Sequence, residues 1–504
     1  MPIPLFNSIA SWLLKKRFHQ IELFIKYPSE VQQEVLQQLL EMARETEIGK
    51  QYEFDTINSY KTFAERIPIT SYEEIEPKIE RTRRGEQNIF WPTSIKWFAK
   101  SSGTTNAKSK FIPVSTEALE DCHYKSNKDL LCLYLNNNEN SQLFNGKSLR
   151  LGGSKEVNKD NGTFFGDLSA ILIDNLPFWA EFSSTPSNRI SLMDEWESKL
   201  SAIIDESIEQ NVTSLVGVPS WMLVLLHKVL EDTGKDHLFQ IWNNLEVYFH
   251  GGVSFHPYRD QYQALLPRKN FKYYEIFNAS EGSFAIQDRN HADDLLLMLD
   301  YGIFYEFIPM NTYGEESPKA IPLWEVETGV NYAMVITTNA GLWRYKIGDT
   351  VRFTSTDPYR IKVTGRTKHH INVFGEELII ENAERALEKS CQLTGAAVKD
   401  FTVAPVFMSG KEKGAHEWVI EFKKAPNRLE DFTQLLDKNL KSLNSDYEAK
   451  RYKNMTLNIP IVHVAQEDLF YNWLKSKNKL GGQHKIPRLS NSRDYVDELL
   501  QMNK

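Results

Sequence analysis

Cysteine is scarce: Cys122, Cys132 and Cys391 are the only three in 504 residues, with no CxxC spacing. Their odd number and spacing exclude a full disulfide framework and a cysteine-ligated zinc knuckle. They suit a reducing compartment, so a cytoplasmic location is expected. Cys122 and Cys132 fall in EALEDCHYKSNKDLLCLYL, a segment of helical spacing in which thiols are expected to be buried. The twelve histidines form no HExxH, and neither the pair at 369–370 nor His250 with His256 has metal-ligand company. No apolar run approaches the length of a bilayer span, so no membrane partner is expected. The opening MPIPLFNSIASWLLKKRFHQIELFIKYP is amphipathic but lacks a signal-peptide core and cleavage site. It reads as a terminal helix docked on the protein. A basic surplus is missing as well: the net charge of −8 argues against nucleic acid as a partner. Neither GxxxxGK[ST] nor GxGxxG occurs, which removes the Walker loop and the dinucleotide fingerprint.

What is present is an ordinary globular composition, 41% hydrophobic and 25% charged, on a chain too long for one core. Helical spacing predicts helices over 29–50 and 60–80. SIKWFAK then alternates as a strand, FIPVS reads as a second, and a long helix starts at 116. VTSLVGVPSWMLVLLHKVLED reads as a buried strand that breaks at Gly217 and Pro219 into a helix. LEVYFHGGVSF and KYYEIFNASEGSFAI repeat the theme of an apolar strand running into a turn of small residues. Such alternation predicts an α/β domain whose ligands gather beyond the strand ends. Near residue 365 the texture changes. LWRYKIGDTVRF and RIKVTGRTKHHINVFGEELII read as antiparallel strands broken by glycine turns, followed by helix, strand, helix and strand. The expected organisation is a large N-terminal domain over 1–365 and a small α+β domain over 366–504.

The stretch SSGTTNAKSKF, residues 101–111, concentrates hydroxyls, a glycine and two lysines between two strands. Small residues let backbone N–H groups approach an anion, hydroxyls add donors and lysines add charge, so phosphate is a natural guest. A solvated turn has the same composition. In order and context the motifs resemble the acyl-acid amido synthetases of the Gretchen Hagen family, within the acyl-adenylate-forming superfamily. The likeness runs from IGKQYEF and SYKTFAERIPITSYEEIEPKIERTRRGE through SSGTT, FHGGVSFHPYR, FNASEG and LWRYKIGD. It continues through GRTKHHINVFGEE and the late GGQHKIPRL, and so covers most of the chain.

The resemblance implies a large N-terminal adenylate-forming domain, with β-sheets, a barrel-like part and flanking helices, beside a mobile C-terminal domain. It implies ATP and Mg²⁺ as cofactors, with adenylation of a small carboxylic acid and then acyl transfer to an amino acid's amine. The alternatives are an AMP-forming ligase with a thiol acceptor such as coenzyme A, and a non-catalytic nucleotide- or acyl-binding protein of the same fold. Ser101, Ser102, Gly103, Thr104 and Thr105 would donate to the phosphates. Gly251 and Gly252 would approach the adenine plane, and Phe277 would stack on it where the family typically has Tyr. Asn278, Ala279 and Ser280 would border the nucleotide, and Glu281 would ligate Mg²⁺. Asp349 would accept from the ribose hydroxyls, and Arg366 would lie near the nucleotide, while Arg344 reads equally as a structural ion-pair residue. Thr104, Glu281 and Lys485 form the catalytic set, with Lys485 bridging carboxylate and α-phosphate from the late loop. Tyr124, Phe165, Val218 and Pro219 would line the acyl pocket. A hinge is expected near Gly365–Lys368, and the molecule is expected to be a monomer or weak dimer.

Overall fold

A computed structural model describes residues 17–504 except 102–109, 153–157, 161, 176–182, 194–195, 254, 256–257, 316, 368–369, 377, 410–411, 453–455 and 478–486. Most of the N-terminal domain is organised by one twelve-stranded sheet whose two halves follow different rules. In one half the strands Lys272–Ala279, Val247–Gly251, Val212–Gly217, Lys147–Leu151 and Ser184–Thr185 lie side by side and parallel. Val212–Gly217 and Val247–Gly251, in the middle of this half, are buried nearly throughout, as strands covered on both faces are. In the other half Gly282–Ile286, Leu295–Leu297, Tyr359–Arg366, Tyr345–Thr356, Asn331–Thr338, Ile303–Pro309 and Ile321–Pro322 follow one another antiparallel. The halves meet at the tight hairpin that joins Lys272–Ala279 to Gly282–Ile286, with only Ser280 and Glu281 at its tip.

A second, four-stranded sheet sets Lys110–Val114, Trp97–Ser101, Thr163–Gly166 and Asn158–Asp160 in that order. Trp97–Ser101 and Lys110–Val114 pair antiparallel and end on Ser101 opposite Lys110, so the expected strand–loop–strand is a hairpin closed by that pair. The C-terminal domain is smaller and separate. Its strands Ala397–Val406, Ala415–Lys424 and Ile461–Val464 form one sheet, packed by helices Ile380–Thr394 and Leu429–Leu443. The strand Ala397–Val406, absent from the sequence reading, pairs along its whole length with Ala415–Lys424. Ile371, Val373, Phe374 and Trp418 belong to the same apolar cluster as Leu215, Tyr248 and Tyr262, so this domain packs on the parallel half of the large sheet. Tyr258 Oη donates to Val373 O across that contact at 2.7 Å.

Two expected helices are each broken. The first comprises Pro28–Ala43 and Glu47–Gln51, because Thr46 accepts from Gly49 N and starts a new helix there. The second comprises Tyr60–Arg66 and Tyr72–Arg83. Pro68 disfavours helix at Ile67, and Ser71 with Glu74 forms a capping box that restarts the chain. The amphipathic opening is docked where it is described: Ile21 and Phe24 are buried, and Arg17 bonds to Asp129 and Asp300. No described helix is long and apolar enough to cross a membrane.

Candidate active site

The parallel strands end on small residues, at Leu151–Gly152, Gly217, Gly251–Gly252 and Ala279. Each strand hands over to a loop or helix at the same edge of the sheet, which opens a crevice there. Gly251 sits against its neighbour so closely that a Cβ would come within 2.4 Å of Ile276 O. Gly252 has φ +84, a left-handed conformation that favours glycine, and a Cβ there would be 3.4 Å from Val218. The pair lets backbone line the crevice without side chains filling it.

Beside it, the turn between the two halves presents Ser280 and Glu281, both half-buried. Burial holds the Glu281 carboxyl above the usual carboxylate range; the charges of Lys110 and Arg366 pull it back, and that of Asp349 adds to the rise. Four charged groups from four strands or turns therefore share one place: Lys110, Glu281, Asp349 and Arg366. Asp349 and Arg366 are register partners on adjacent strands, and Arg366 Nε donates to Asp349 Oδ1 at 2.7 Å. Lys110 Nζ lies 3.5 Å from Tyr345 Oη and 5.6 Å from the centre of the Tyr72 ring. Phe277, half-buried, stands two residues before Ala279, with its ring 5.0 Å from that of Phe284; Asn278 and Ala279 are half-buried beside it.

The structure thus brings together Ser101, Gly251, Gly252, Phe277–Glu281, Asp349 and Arg366 from the expected set. Ser102, Gly103, Thr104, Thr105 and Lys485 lie outside the described residues, as does Lys368. Lys110 was seen only as charge at the end of a loop; its position opposite Ser101 makes it a fixed neighbour of Glu281. Arg344 stands elsewhere. Its guanidinium is buried, bonded to both oxygens of Glu306 and to the carbonyls of Ala64 and Ile67, and it belongs to the core.

Among the acyl-pocket candidates, Tyr124 is buried at the end of an unusually wide helical turn over Ala118–Tyr124, and its hydroxyl donates to Leu172 O at 2.9 Å. Phe165 is half-buried, its ring edge-on to Phe111, with the Arg83 guanidinium 3.6 Å above the Phe111 ring. These two flank the helix Leu168–Asp174. Val218 and Pro219 start the next helix. Val218 faces Gly252, and Pro219 is buried at a helix start, where its missing N–H costs nothing.

The large α/β domain with an open edge of strand ends, joined to a small α+β domain, is the architecture of known acyl acid amido synthetase structures. The AtGH3.15 acyl acid amido synthetase in complex with 2,4-DB superposes with a TM-score of 0.61 at 18% identity, covering 94% of this chain and 93% of that one. A 2-hydroxyisobutyryl-CoA ligase in its thioesterification state shares the fold at TM-score 0.58 and 12% identity, covering 95% and 93%. The chain belongs to the GH3 family: the family's N-terminal domain matches residues 17–271, its central domain 296–366 and its C-terminal domain 381–494. Among its relatives is the indole-3-acetic acid-amido synthetase GH3.2 of Arabidopsis thaliana, 24% identical over 76% of this chain and 82% of that protein. Another is the jasmonoyl–L-amino acid synthetase JAR4 of Nicotiana attenuata, 25% identical over 66% and 68%.

Proposed function

We propose that this protein is an ATP- and Mg²⁺-dependent ligase that adenylates a small carboxylic acid and transfers the acyl group to the amine of an amino acid. The observation that carries this reading is the convergence of Glu281, Asp349, Arg366 and Lys110 beside the glycine-lined strand ends. The names of its relatives, amido synthetases acting with amino acids, support an amine rather than a thiol as acceptor.

In the first half-reaction a carboxylate oxygen attacks the α-phosphorus of ATP, and pyrophosphate leaves with the electron pair of the broken P–O bond. In the second, the amine nitrogen attacks the acyl carbon, AMP leaves with the C–O electron pair, and the nitrogen gives up a proton. The protein positions the reactants, balances charge and excludes water. Ser101, Ser102, Gly103, Thr104 and Thr105 hold the phosphates, with Lys110 supplying a cation at the loop's end. Phe277 offers an aromatic face to the adenine, and Gly251 and Gly252 let the base lie close. Asp349 accepts from the ribose while Arg366 holds its carboxylate in place.

Among the described residues no three His, Cys, Asp or Glu side chains group as a metal cage. That suits Mg²⁺, which takes one or two carboxylates and completes its shell with phosphates and water. Glu281, half-buried at a hairpin tip with its charged form disfavoured by burial, fits as that ligand. When bound with ATP, the ion would neutralise charge on the phosphates. Tyr124, Phe165, Val218 and Pro219 border the acyl group, and the small domain beyond residue 365 carries Lys485 into the site. We place this ligase in the cytoplasm, as a monomer or weak dimer.

The test is acid-dependent ATP–pyrophosphate exchange over a panel of carboxylic acids, followed by mass spectrometry of products formed with amine and thiol acceptors. Lys485→Ala should cut adenylation by about 10²–10³, comparable to the loss of one oxyanion donor. Amide formation from a synthetic acyl-AMP should suffer far less. Full adenylation in this variant would make Lys485 a bystander.

A further inference from the structure

The hairpin that carries Glu281 runs past its neighbours on both sides. Lys272–Ala279 pairs with Val247–Gly251 only as far as Ile276. On the other side Leu295–Leu297 pairs with Ala285 and Ile286, and Met298 N adds a bond to Phe284 O, one residue short of Ser283. At Ser283 the place of a neighbouring strand is taken by a thiol. Ser283 N donates to Cys122 Sγ at 3.2 Å, and Sγ donates back to Ser283 O at 3.8 Å. Both residues are only 1% exposed. Burial pushes the Cys122 thiol up to about 12, so it stays protonated and keeps both its donor and its acceptor. Among the described residues, Cys122 supplies the hydrogen bonds that brace 277–283 from outside the hairpin.

Cys122 reaches Ser283 from the wide helical turn over Ala118–Tyr124. Such a turn takes in more residues than an α-helical one, packs less well, and is kept mostly where function needs it. Its start is anchored by Ser115, whose hydroxyl accepts from Ala118 N at 2.9 Å and donates to Asn339 O at 2.7 Å. Gly282 makes the approach close: a Cβ there would stand 2.7 Å from Ile303 and 3.6 Å from Cys122 Sγ. The Ser283 hydroxyl is buried with no partner among the described residues, so the hold runs through its backbone. A backbone hold fixes the path of the chain. Only Gly282 separates Ser283 from Glu281, and a tip of two residues has no slack to absorb a shift.

We infer that Cys122 is a positioning residue for Glu281: its reciprocal bonds with the Ser283 backbone fix the hairpin tip, so that the Glu281 carboxylate is in place for the Mg²⁺ that accompanies ATP. Cys122 stays out of the chemistry and acts through Ser283. The inference rests on the ligase reading above, in which Glu281 is the metal ligand.

The experiment uses the full-length chain. Mn²⁺, a paramagnetic stand-in for Mg²⁺, is titrated by electron paramagnetic resonance in the presence of a non-hydrolysable ATP analogue. Cys122→Ala leaves the Ser283 N–H buried without an acceptor, and should weaken Mn²⁺ binding about fivefold. Cys122→Val fills the space but offers no acceptor either, and should do the same. Cys122→Ser keeps a donor and an acceptor, and should return Mn²⁺ binding to within about twofold of wild type. AMP, which needs no metal, should bind all three variants as it binds the wild type. Hydrogen exchange over 280–286, read by mass spectrometry, should quicken with Ala and Val and not with Ser. Glu281→Gln checks the underlying reading: unchanged Mn²⁺ binding there removes Glu281 as the ligand, and the inference falls with it. If Glu281→Gln weakens binding but Cys122→Ala and Cys122→Val do not, or if they weaken AMP as much as Mn²⁺, the inference alone is overturned. Should Cys122→Ala fail to fold, the Val and Ser variants decide it.

Discussion

Two arginine–carboxylate pairs occupy the antiparallel half of the large sheet, only 22 positions apart at their arginines, and they do opposite work. Arg344 and Glu306 are almost wholly buried, and their contact is bidentate at 2.9 and 2.8 Å. The guanidinium's remaining donors reach the carbonyls of Ala64 and Ile67, so the N-terminal helices are tied to the sheet. Arg344 even holds a φ of +44, backbone strain that the four bonds over-determine. Arg366 is half-buried and donates to the buried Asp349 at 2.7 Å, with Glu281 and Lys110 nearby. A saturated pair has nothing left to offer a ligand. A pair at the strand ends, with Glu281 and Lys110 beside it, is placed to meet one.

The largest expected effect would come from breaking the saturated pair. Arg344→Met strands the Glu306 carboxylate in the core, and urea denaturation should show a loss of about 3–5 kcal/mol. A loss below about 1 kcal/mol would mean that water reaches Glu306 and that the contrast with Arg366 is false.

Asp349→Ala should behave in the opposite sense. ATP binding, measured by calorimetric titration, should weaken by about 1.5–3 kcal/mol, the range for hydrogen bonds to a charged group. Stability should fall by less than that. If affinity is kept and the fold weakens instead, Asp349 serves only the turn after Gly348.

A third carboxylate sharpens the comparison because it has no bonded cation among the described residues. Glu275 is half-buried in the strand beside His250, and burial pushes its carboxyl up to about 7, with Arg259 pulling it back. The folded value lies above the ordinary 4.5, so its contribution to stability is full at pH below about 4.5 and is lost as pH rises through about 7. Glu275→Gln should flatten that decline and leave the protein at pH 8 on the order of 1–2 kcal/mol more stable than wild type. His250 tilts the other way. Burial, then Arg259, lowers its imidazole to about 3, so its contribution is full above 6.5 and is lost as pH falls. Parallel melts of Glu275→Gln and His250→Gln from pH 4 to 8 would separate the two slopes; identical pH profiles in both would remove these groups as their source.

Much of the fold was legible because its signals are local. Strands running into Gly217, Gly251 and Gly282 stand out from hydropathy and small residues alone, and the structure has strands ending or starting at all three. The breaks at Thr46 and Ser71 were also written locally, as helix caps, but the apolar spacing on either side masked them. The strand Ala397–Val406 was missed because AVKDFTVAPV alternates weakly and earns its place through ten residues of pairing with Ala415–Lys424.

The sequence by itself determined which chemical groups this protein owns and the local frame of each: Glu281 on a two-residue turn, Gly252 where φ is positive, Asp349 and Arg366 on successive strands. Backbone propensity and hairpin register act over a few residues, so a linear reading can see them. Only the tertiary structure decided which groups meet. Arg344 and Arg366 look alike in the chain, and sheet order buries one against Glu306 while leaving the other beside Glu281. The charge of Lys110 acts on Glu281 across 171 positions, because the two sheets bring their strand ends together. Charge acts through distance in space, and no local rule of the chain encodes that distance.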